Sequence, residues 1–243
     1  MNRRDELVDG LESTEQRIGA ACVAAGRDRS EITLVVVTKT YPATDVELLT
    51  ELGVTDVGEN RHPEAQLKLE ELRALQADHV GALPRWHFLG GVQTNKAGAV
   101  ARYADVVHSV DRLKLANSLS RGADAAGRVL TCLIQVDFAS TGPSAGDGGR
   151  SGVTPAGIPE LAAAIAGSDH LALGGLMTVA PLGDDPAPHF DHLARLSIDL
   201  RRDHPDATIV SAGMSDDFEP AIAAGATHLR IGRSILGERP SAG

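Results

Sequence analysis

The chain has 243 residues, 42% hydrophobic and only 3% aromatic, with a formal net charge of −10. That length fits one (β/α) barrel of about 250 residues, and a core so poor in rings must be built from Ala, Val, Leu and Ile, as in layered helices and parallel strands rather than a β-sandwich. Scattered basic residues in an acidic chain exclude an ordinary nucleic-acid binder, which needs a basic face to neutralise phosphates.

The first residues, Met1-Asn2-Arg3-Arg4-Asp5-Glu6, lead into an amphipathic helix with Leu7, Leu11, Ile18 and Cys22 on one side, not into an apolar signal core. No apolar run approaches the ~20 residues that span a bilayer. A cytoplasmic protein without membrane contact is expected. Short β-branched runs then recur at Ile32–Thr38, Asp56–Gly58, Arg85–Leu89, Asp105–Ser109, Leu130–Phe138, Leu171–Thr178, Thr208–Ala212 and His228–Ile231. Several are nearly continuous apolar stretches, the pattern of parallel strands buried on both faces.

Helical stripes lie between them: Ala65, Leu69 and Leu72; Leu113, Ala116, Leu119 and Ala123; Phe190, Leu193, Ser197 and Leu200. Strict alternation predicts βαβ units with right-handed crossovers. Eight of them in this length predict a single (β/α)8 barrel of the TIM type with an extra N-terminal helix. No linker divides residues 1–243, so one domain is expected. Cys22 and Cys132 read as small core residues, and without a CxxC neither a metal site nor a disulfide framework is indicated. The Gly- and Ser-rich segment Ala139–Thr154 reads either as a mobile surface insertion or as a lid over the strand C-termini.

Lys39 follows Leu34-Val35-Val36-Val37-Thr38 and so stands at the C-terminal end of the first strand, where barrels place their chemistry. Partial desolvation there lowers an amine's pKa and favours the neutral form that attacks an aldehyde. Its bland alternative is a lysine that snorkels to water or pairs with a carboxylate. The second candidate region is Ser211-Ala212-Gly213-Met214-Ser215-Asp216-Asp217 with His228-Leu229-Arg230-Ile231-Gly232-Arg233-Ser234. Barrels bind phosphate at the loops after strands seven and eight, on backbone N–H groups at a short helix start. Ser215 is expected to N-cap a helix beginning at Asp216. Asp216 and Asp217 are expected to face away from any phosphate. Ordinary turn chemistry is the alternative.

Barrel closure makes the first and last strands neighbours, so one ligand with an aldehyde and a phosphate would bridge Lys39 and the phosphate turns. Pyridoxal 5′-phosphate (PLP) is such a ligand. Arg230 would then approach its pyridine nitrogen and damp carbanion chemistry.

The ordered pieces Val37-Thr38-Lys39-Thr40, Gly58-Glu59-Asn60, Trp86-His87-Phe88-Leu89-Gly90, Gln93-Thr94-Asn95-Lys96, Ser109-Val110-Asp111-Arg112-Leu113, Gly175-Leu176-Met177, Gly213-Met214-Ser215-Asp216-Asp217 and Arg230-Ile231-Gly232 resemble the pyridoxal phosphate homeostasis proteins. Those are similar to the barrel domain of alanine racemase. The resemblance implies that Lys39 carries PLP as a Schiff base, that Ser215, Gly232 and Arg233 hold its phosphate, and that Arg230 faces the ring nitrogen. It implies Asn60, His87, Met177 and Ser211 as further lining. Arg233 departs from the threonine that many members carry, and Arg150 in the long Gly-rich segment from a common lysine.

The implied function is to hold and deliver PLP, with apo PLP-dependent enzymes as possible recipients, the protein acting as a monomer or weak homodimer. A racemase of this fold uses a tyrosine from a second domain. This sequence ends at Gly243 and has only Tyr41 and Tyr103, with Pro42 expected to turn Tyr41 away. A PLP-dependent racemase or lyase using Lys39 alone, an aldolase-like Schiff-base enzyme and a partner-binding scaffold stay open.

Overall fold

The computed structural model describes residues 2–77, 82–138, 152–181 and 183–237. Eight strands, β1 (Thr33–Val37), β2 (Asp56–Glu59), β3 (Arg85–Phe88), β4 (Val106–Val110), β5 (Leu130–Gln135), β6 (Leu171–Met177), β7 (Ile209–Ser211) and β8 (His228–Ile231), form a closed barrel in sequence order. Every neighbouring pair is parallel, and β1 closes on β8 with Val35 opposite Arg230 and Val36 opposite Ile231. The expected barrel is therefore the fold. Between the strands run α2 (Ala43–Glu51), α3 (Glu64–Leu75), α4 (Ala97–Tyr103), α5 (Leu113–Ala125), α6 (Ile158–Ala166), α7 (Ala187–Asp203) and α8 (Phe218–Ala223).

The extra N-terminal helix is α1 (Arg3–Ala24), and a last short turn is α9 (Arg233–Leu236). Asn2 caps α1 by accepting from the Asp5 N–H. Leu7, Ile18 and Cys22 are its buried stripe, and it packs on α8 and α9. The Arg3 guanidinium, 2.6 Å from Asp45 Oδ2 and 3.2 Å from the Leu236 carbonyl, ties α1 to α2 and to α9.

Three details differ from the sequence expectation. β5 stops at Gln135, not Phe138: the Val136 N–H still donates to the Met177 carbonyl of β6, but on its other side the chain now bridges to Val153. The Val153 N–H donates to the Gln135 carbonyl, and the Asp137 N–H to the Val153 carbonyl. In α5 it is Leu115, not Leu113, that is buried beside Ala116, Leu119 and Ala123. Residues 139–151, which hold most of the proposed lid and Arg150, lie outside the described residues.

Strand side chains alternate between helical jacket and lumen. Val36, Val57, Trp86, Phe88 and Val107 face outward into the main core. Branched aliphatic side chains ordinarily fill a barrel lumen. Here Asp56, His87, His108, Ser211, His228 and Arg230 are all buried, beside a small separate apolar cluster of Val106, Leu133 and Met177.

A second buried polar group fixes the end of β1. Thr38 Oγ1 donates to Glu59 Oε1 at 2.7 Å, and Lys68 Nζ donates to the same carboxylate and to the Thr38 carbonyl at 2.8 Å. The side chains of Lys68 and Glu59 are only 10% and 3% exposed. Removing the lysine would leave a buried, unpaired carboxylate. Lys68→Ala is expected to lower unfolding free energy by about 3–5 kcal/mol, read as a fall in urea midpoint at unchanged slope. An unchanged midpoint would show that Glu59 finds water instead.

Candidate functional site

Lys39 occupies a tight turn just beyond β1. The Tyr41 N–H donates to the Thr38 carbonyl at 3.1 Å, which makes Lys39 and Thr40 the central residues. Thr40 takes φ 72°, a left-handed conformation that costs a non-glycine residue about 1–2 kcal/mol. Such strain persists only where the surroundings over-determine the backbone. They do so through Thr38: its N–H donates to the Gly58 carbonyl, its hydroxyl to Glu59, and its carbonyl accepts from both Tyr41 and Lys68. Half-buried Lys39 is thus presented from a fixed base.

The seam places the other candidates nearby. Val36 pairs with Ile231, so Lys39 and Gly232 both lie just past the same end of paired strands. A Cβ on Gly232 would stand 2.8 Å from the Val37 carbonyl, so β1 and the turn after β8 approach closely only because this residue is glycine. Gly232 occupies the N-cap position of α9 and Arg233 its first residue. The first N–H groups of a helix have no carbonyl partner within it.

After β7, Gly213 takes φ 89°, and a Cβ there would meet Ala221 at 2.8 Å. Ser215 follows, but it does not N-cap a helix. α8 begins at Phe218, because Asp217 Oδ1 accepts the Met214 N–H at 2.5 Å and closes the turn first. Ser215 therefore stands in the turn itself. Asp216 is exposed and pairs with the Arg233 guanidinium, which leaves backbone rather than charge as what Arg233 offers inward.

Asn60 lies one residue past β2, at the wall of a cavity of about 250 Å³ that Arg61, His62, Gln93 and Lys96 also line. A larger cavity, about 580 Å³, lies by the strand starts at Arg85 and Asp105, at the opposite end from Lys39. Two of the sequence motifs clasp each other near Asn60. Ser109 donates to the Gly90 carbonyl at 2.5 Å, and Arg112 donates to the Val92 carbonyl at 3.0 Å and to Thr94 Oγ1 at 3.2 Å.

Met177 ends β6 and packs on Val106 and Leu133 inside the lumen. His87 and Ser211 lie in the lumen with their polar atoms already engaged. Asp56 Oδ1 is 2.8 Å from His87 Nε2, His87 Nδ1 is 2.9 Å from His108 Nε2, and His108 Nδ1 is 2.9 Å from Ser211 Oγ. Arg230 donates to Ser211 Oγ at 2.7 Å and to the Thr178 carbonyl at 2.8 Å. Both His87 nitrogens are therefore hydrogen-bonded within the lumen.

Burial pulls the Arg230 guanidinium down to about 10, with Asp217 opposing, so it stays charged at neutral pH. Burial also holds His108 well below the usual imidazole range. His228 is brought down to about 4 by burial and by the His87 ring beside it. For Asp56 burial works upward, but hydrogen bonds from His87 and Thr55 outweigh it and keep the carboxylate below its usual range.

Sequence reading gave no role to Thr38, Glu59, Lys68, Asp56 or His108. A signal was available for the charged ones. Asp56 and Glu59 bracket a strand read as buried, and a buried carboxylate needs partners.

Residues 20–240 match the family described as alanine racemase, N-terminal domain. The chain is 40% identical over 251 residues to the pyridoxal phosphate homeostasis protein of Mycobacterium tuberculosis, covering 98% of this chain and 95% of that one. This chain belongs to the pyridoxal phosphate homeostasis family. Among solved structures, one of an unknown protein from Bifidobacterium adolescentis aligns at TM-score 0.86 with 31% identity, covering 96% of this chain and 95% of that one. PipY of Synechococcus elongatus with PLP bound aligns at TM-score 0.73 with 30% identity, covering 90% and 100%. The family resemblance read from the motifs is borne out.

The buried imidazoles make the barrel acid-sensitive. A histidine at about 6.5 when unfolded and about 4 when folded binds its proton preferentially in the unfolded chain. Its contribution is therefore complete above about pH 7.5 and declines as pH falls. His228 alone is expected to cost about 2 kcal/mol by pH 5. Urea unfolding at pH 7.5 and 5 would measure the drop, and His228→Gln should shrink it. Equal stability at the two pH values would contradict the neutral, buried assignment.

Proposed function

We propose that the protein binds PLP reversibly as a Schiff base on Lys39 and serves intracellular PLP homeostasis without catalytic turnover. The observation that carries this reading is the turn at Lys39, fixed through Thr38 and set across the closing seam from the Gly232 turn. PLP supplies an aldehyde for an amine, a phosphate, and an electron-withdrawing ring.

The residues fit that group. Lys39 suits the aldehyde. The N–H groups of Gly232 and Arg233 and the Ser215 hydroxyl suit a phosphate. Charged Arg230 suits an unprotonated ring nitrogen, a state that weakens the ring as an electron sink. Asn60 and Met177 would border the ligand, while Ser211 and His87 would act through Arg230.

Neither tyrosine of the chain is offered as an acid or base at Lys39. The Tyr41 hydroxyl donates to the Gly237 carbonyl at 2.7 Å, and Tyr103 is buried at the end of α4, where burial raises its phenol well above the usual range. Delivery to apo PLP-dependent enzymes and a cytoplasmic location belong to the same proposal. Among the described residues Cys22 and Cys132 are free and buried, and no helix is long and apolar enough to cross a membrane. A monomer or weak homodimer completes it.

Two measurements test this reading. The PLP-loaded protein, incubated with L- and D-amino acids, is expected to give no racemisation or cleavage beyond free PLP. Sustained turnover that vanishes in Lys39→Ala would establish the racemase or lyase alternative. Ser215→Ala is expected to lose roughly 1.5–3 kcal/mol of PLP affinity, tenfold or more in dissociation constant. An unchanged constant would remove Ser215 from the phosphate site.

A further inference from the structure

The lumen holds an unbroken polar chain: Asp56, His87, His108, Ser211, Arg230 and the Thr178 carbonyl, with successive contacts of 2.8, 2.9, 2.9, 2.7 and 2.8 Å. Asp56 is 5% exposed, Arg230 is 6%, and the three residues between them are fully buried. No bulk water reaches those three, so each donor and acceptor must be used within the protein.

Counting them sets the direction of every bond. Arg230 can only donate, so Ser211 Oγ accepts from it. The serine proton must then go to His108 Nδ1, which makes that nitrogen bare. A neutral His108 carries its proton on Nε2 and gives it to His87 Nδ1. A neutral His87 in turn carries its proton on Nε2 and gives it to Asp56, an ionised carboxylate that only accepts. All donors and acceptors between the two charges are thus satisfied in one sense, running from guanidinium to carboxylate. The opposite assignment, with His87 protonated on both nitrogens, would make His108 donate to Ser211. Ser211 would then accept twice and its hydroxyl proton would have no place in the chain.

We propose that Asp56, His87 and His108 are positioning residues that hold Arg230 in place and charged through Ser211. The chain fixes Ser211 Oγ as an acceptor facing the guanidinium, and the Thr178 carbonyl holds the other nitrogen. Arg230 then has two of its five N–H groups anchored to rigid strand ends, and the remainder keep one direction. The carboxylate that favours its buried positive charge is Asp217, while Asp56, at the far end of the chain, is approached by Arg85 Nη1 at 3.9 Å and bonded by Thr55. His228 stands beside His87, with ring centres 6.2 Å apart, and bonds Thr227 rather than the chain. The consequence for the ligand rests on the reading that Arg230 faces the PLP ring nitrogen. Disturbing the far end of the chain would change the ring's environment without touching any group that contacts it.

Side-chain ¹H–¹⁵N correlation spectra of the ligand-free protein test the chain independently of PLP. At pH 8 His87 and His108 are both expected to carry the proton on Nε2 and to leave Nδ1 bare. An Nδ1–H tautomer or a charged ring at either position would overturn the proposal, whether or not the protein binds PLP. The link to the site is tested with His108→Phe and Ser211→Ala in the PLP-loaded protein. Both are expected to shift the visible absorption band and to raise the PLP dissociation constant about tenfold, while adduct formation on Lys39 persists. Ser211→Thr, which keeps a hydroxyl, is expected to restore the wild-type band. Should His108→Phe fail to fold, the Ser211 pair alone decides. A band and affinity unchanged in Ser211→Ala would refute the positioning role, whereas absence of any wild-type adduct would refute the PLP reading instead.

Discussion

Closure of the barrel between β1 and β8 is the constraint on which the site depends. Lys39 and the turn at Gly232 are separated by nearly two hundred residues of chain, and only the parallel register of Val36 on Ile231 makes them neighbours. Each piece is ordinary when taken alone: a lysine past an apolar strand, a glycine before a helical turn. Closure places them side by side, and it lets Gly232 approach the Val37 carbonyl where any side chain would intrude.

Holding that seam takes more than hydrophobic packing. Thr38, the last residue before Lys39, is bonded through its amide, its carbonyl and its hydroxyl, and buried Glu59 and Lys68 supply two of those bonds. That arrangement sustains a threonine in a left-handed conformation directly after the lysine. The lumen makes a similar trade. Polar side chains replace the aliphatic layers usual in such barrels, at a desolvation cost that only complete hydrogen bonding offsets. What is gained is a buried Arg230 bonded both to Ser211 and to the Thr178 carbonyl.

Much of this was legible in the sequence. All eight strands and the α7 stripe could be read because burial on both strand faces and 3.6-residue periodicity leave direct marks on residue type. Lys39 and Gly232 could be read because strand ends and turns have their own residue preferences. The end of β5 could not, since Val153 bridges to it from a distant segment. Ser215 has the local sequence of a cap, yet α8 begins only at Phe218. The competing bond from Asp217 to the Met214 N–H needs a side-chain geometry that sequence does not specify. The hydrogen-bond partners of His87, Asp56 and His108, lie 31 and 21 residues away, and only barrel register brings them together.

The central claim is covalent and local, and one measurement addresses it directly. The purified protein would be loaded with PLP, reduced with borohydride, digested and mapped by mass spectrometry. A single pyridoxyl adduct on Lys39, with loss of the visible band on reduction, is the predicted result. No adduct on Lys39, or one only on Lys68, Lys96 or another lysine, would contradict the account.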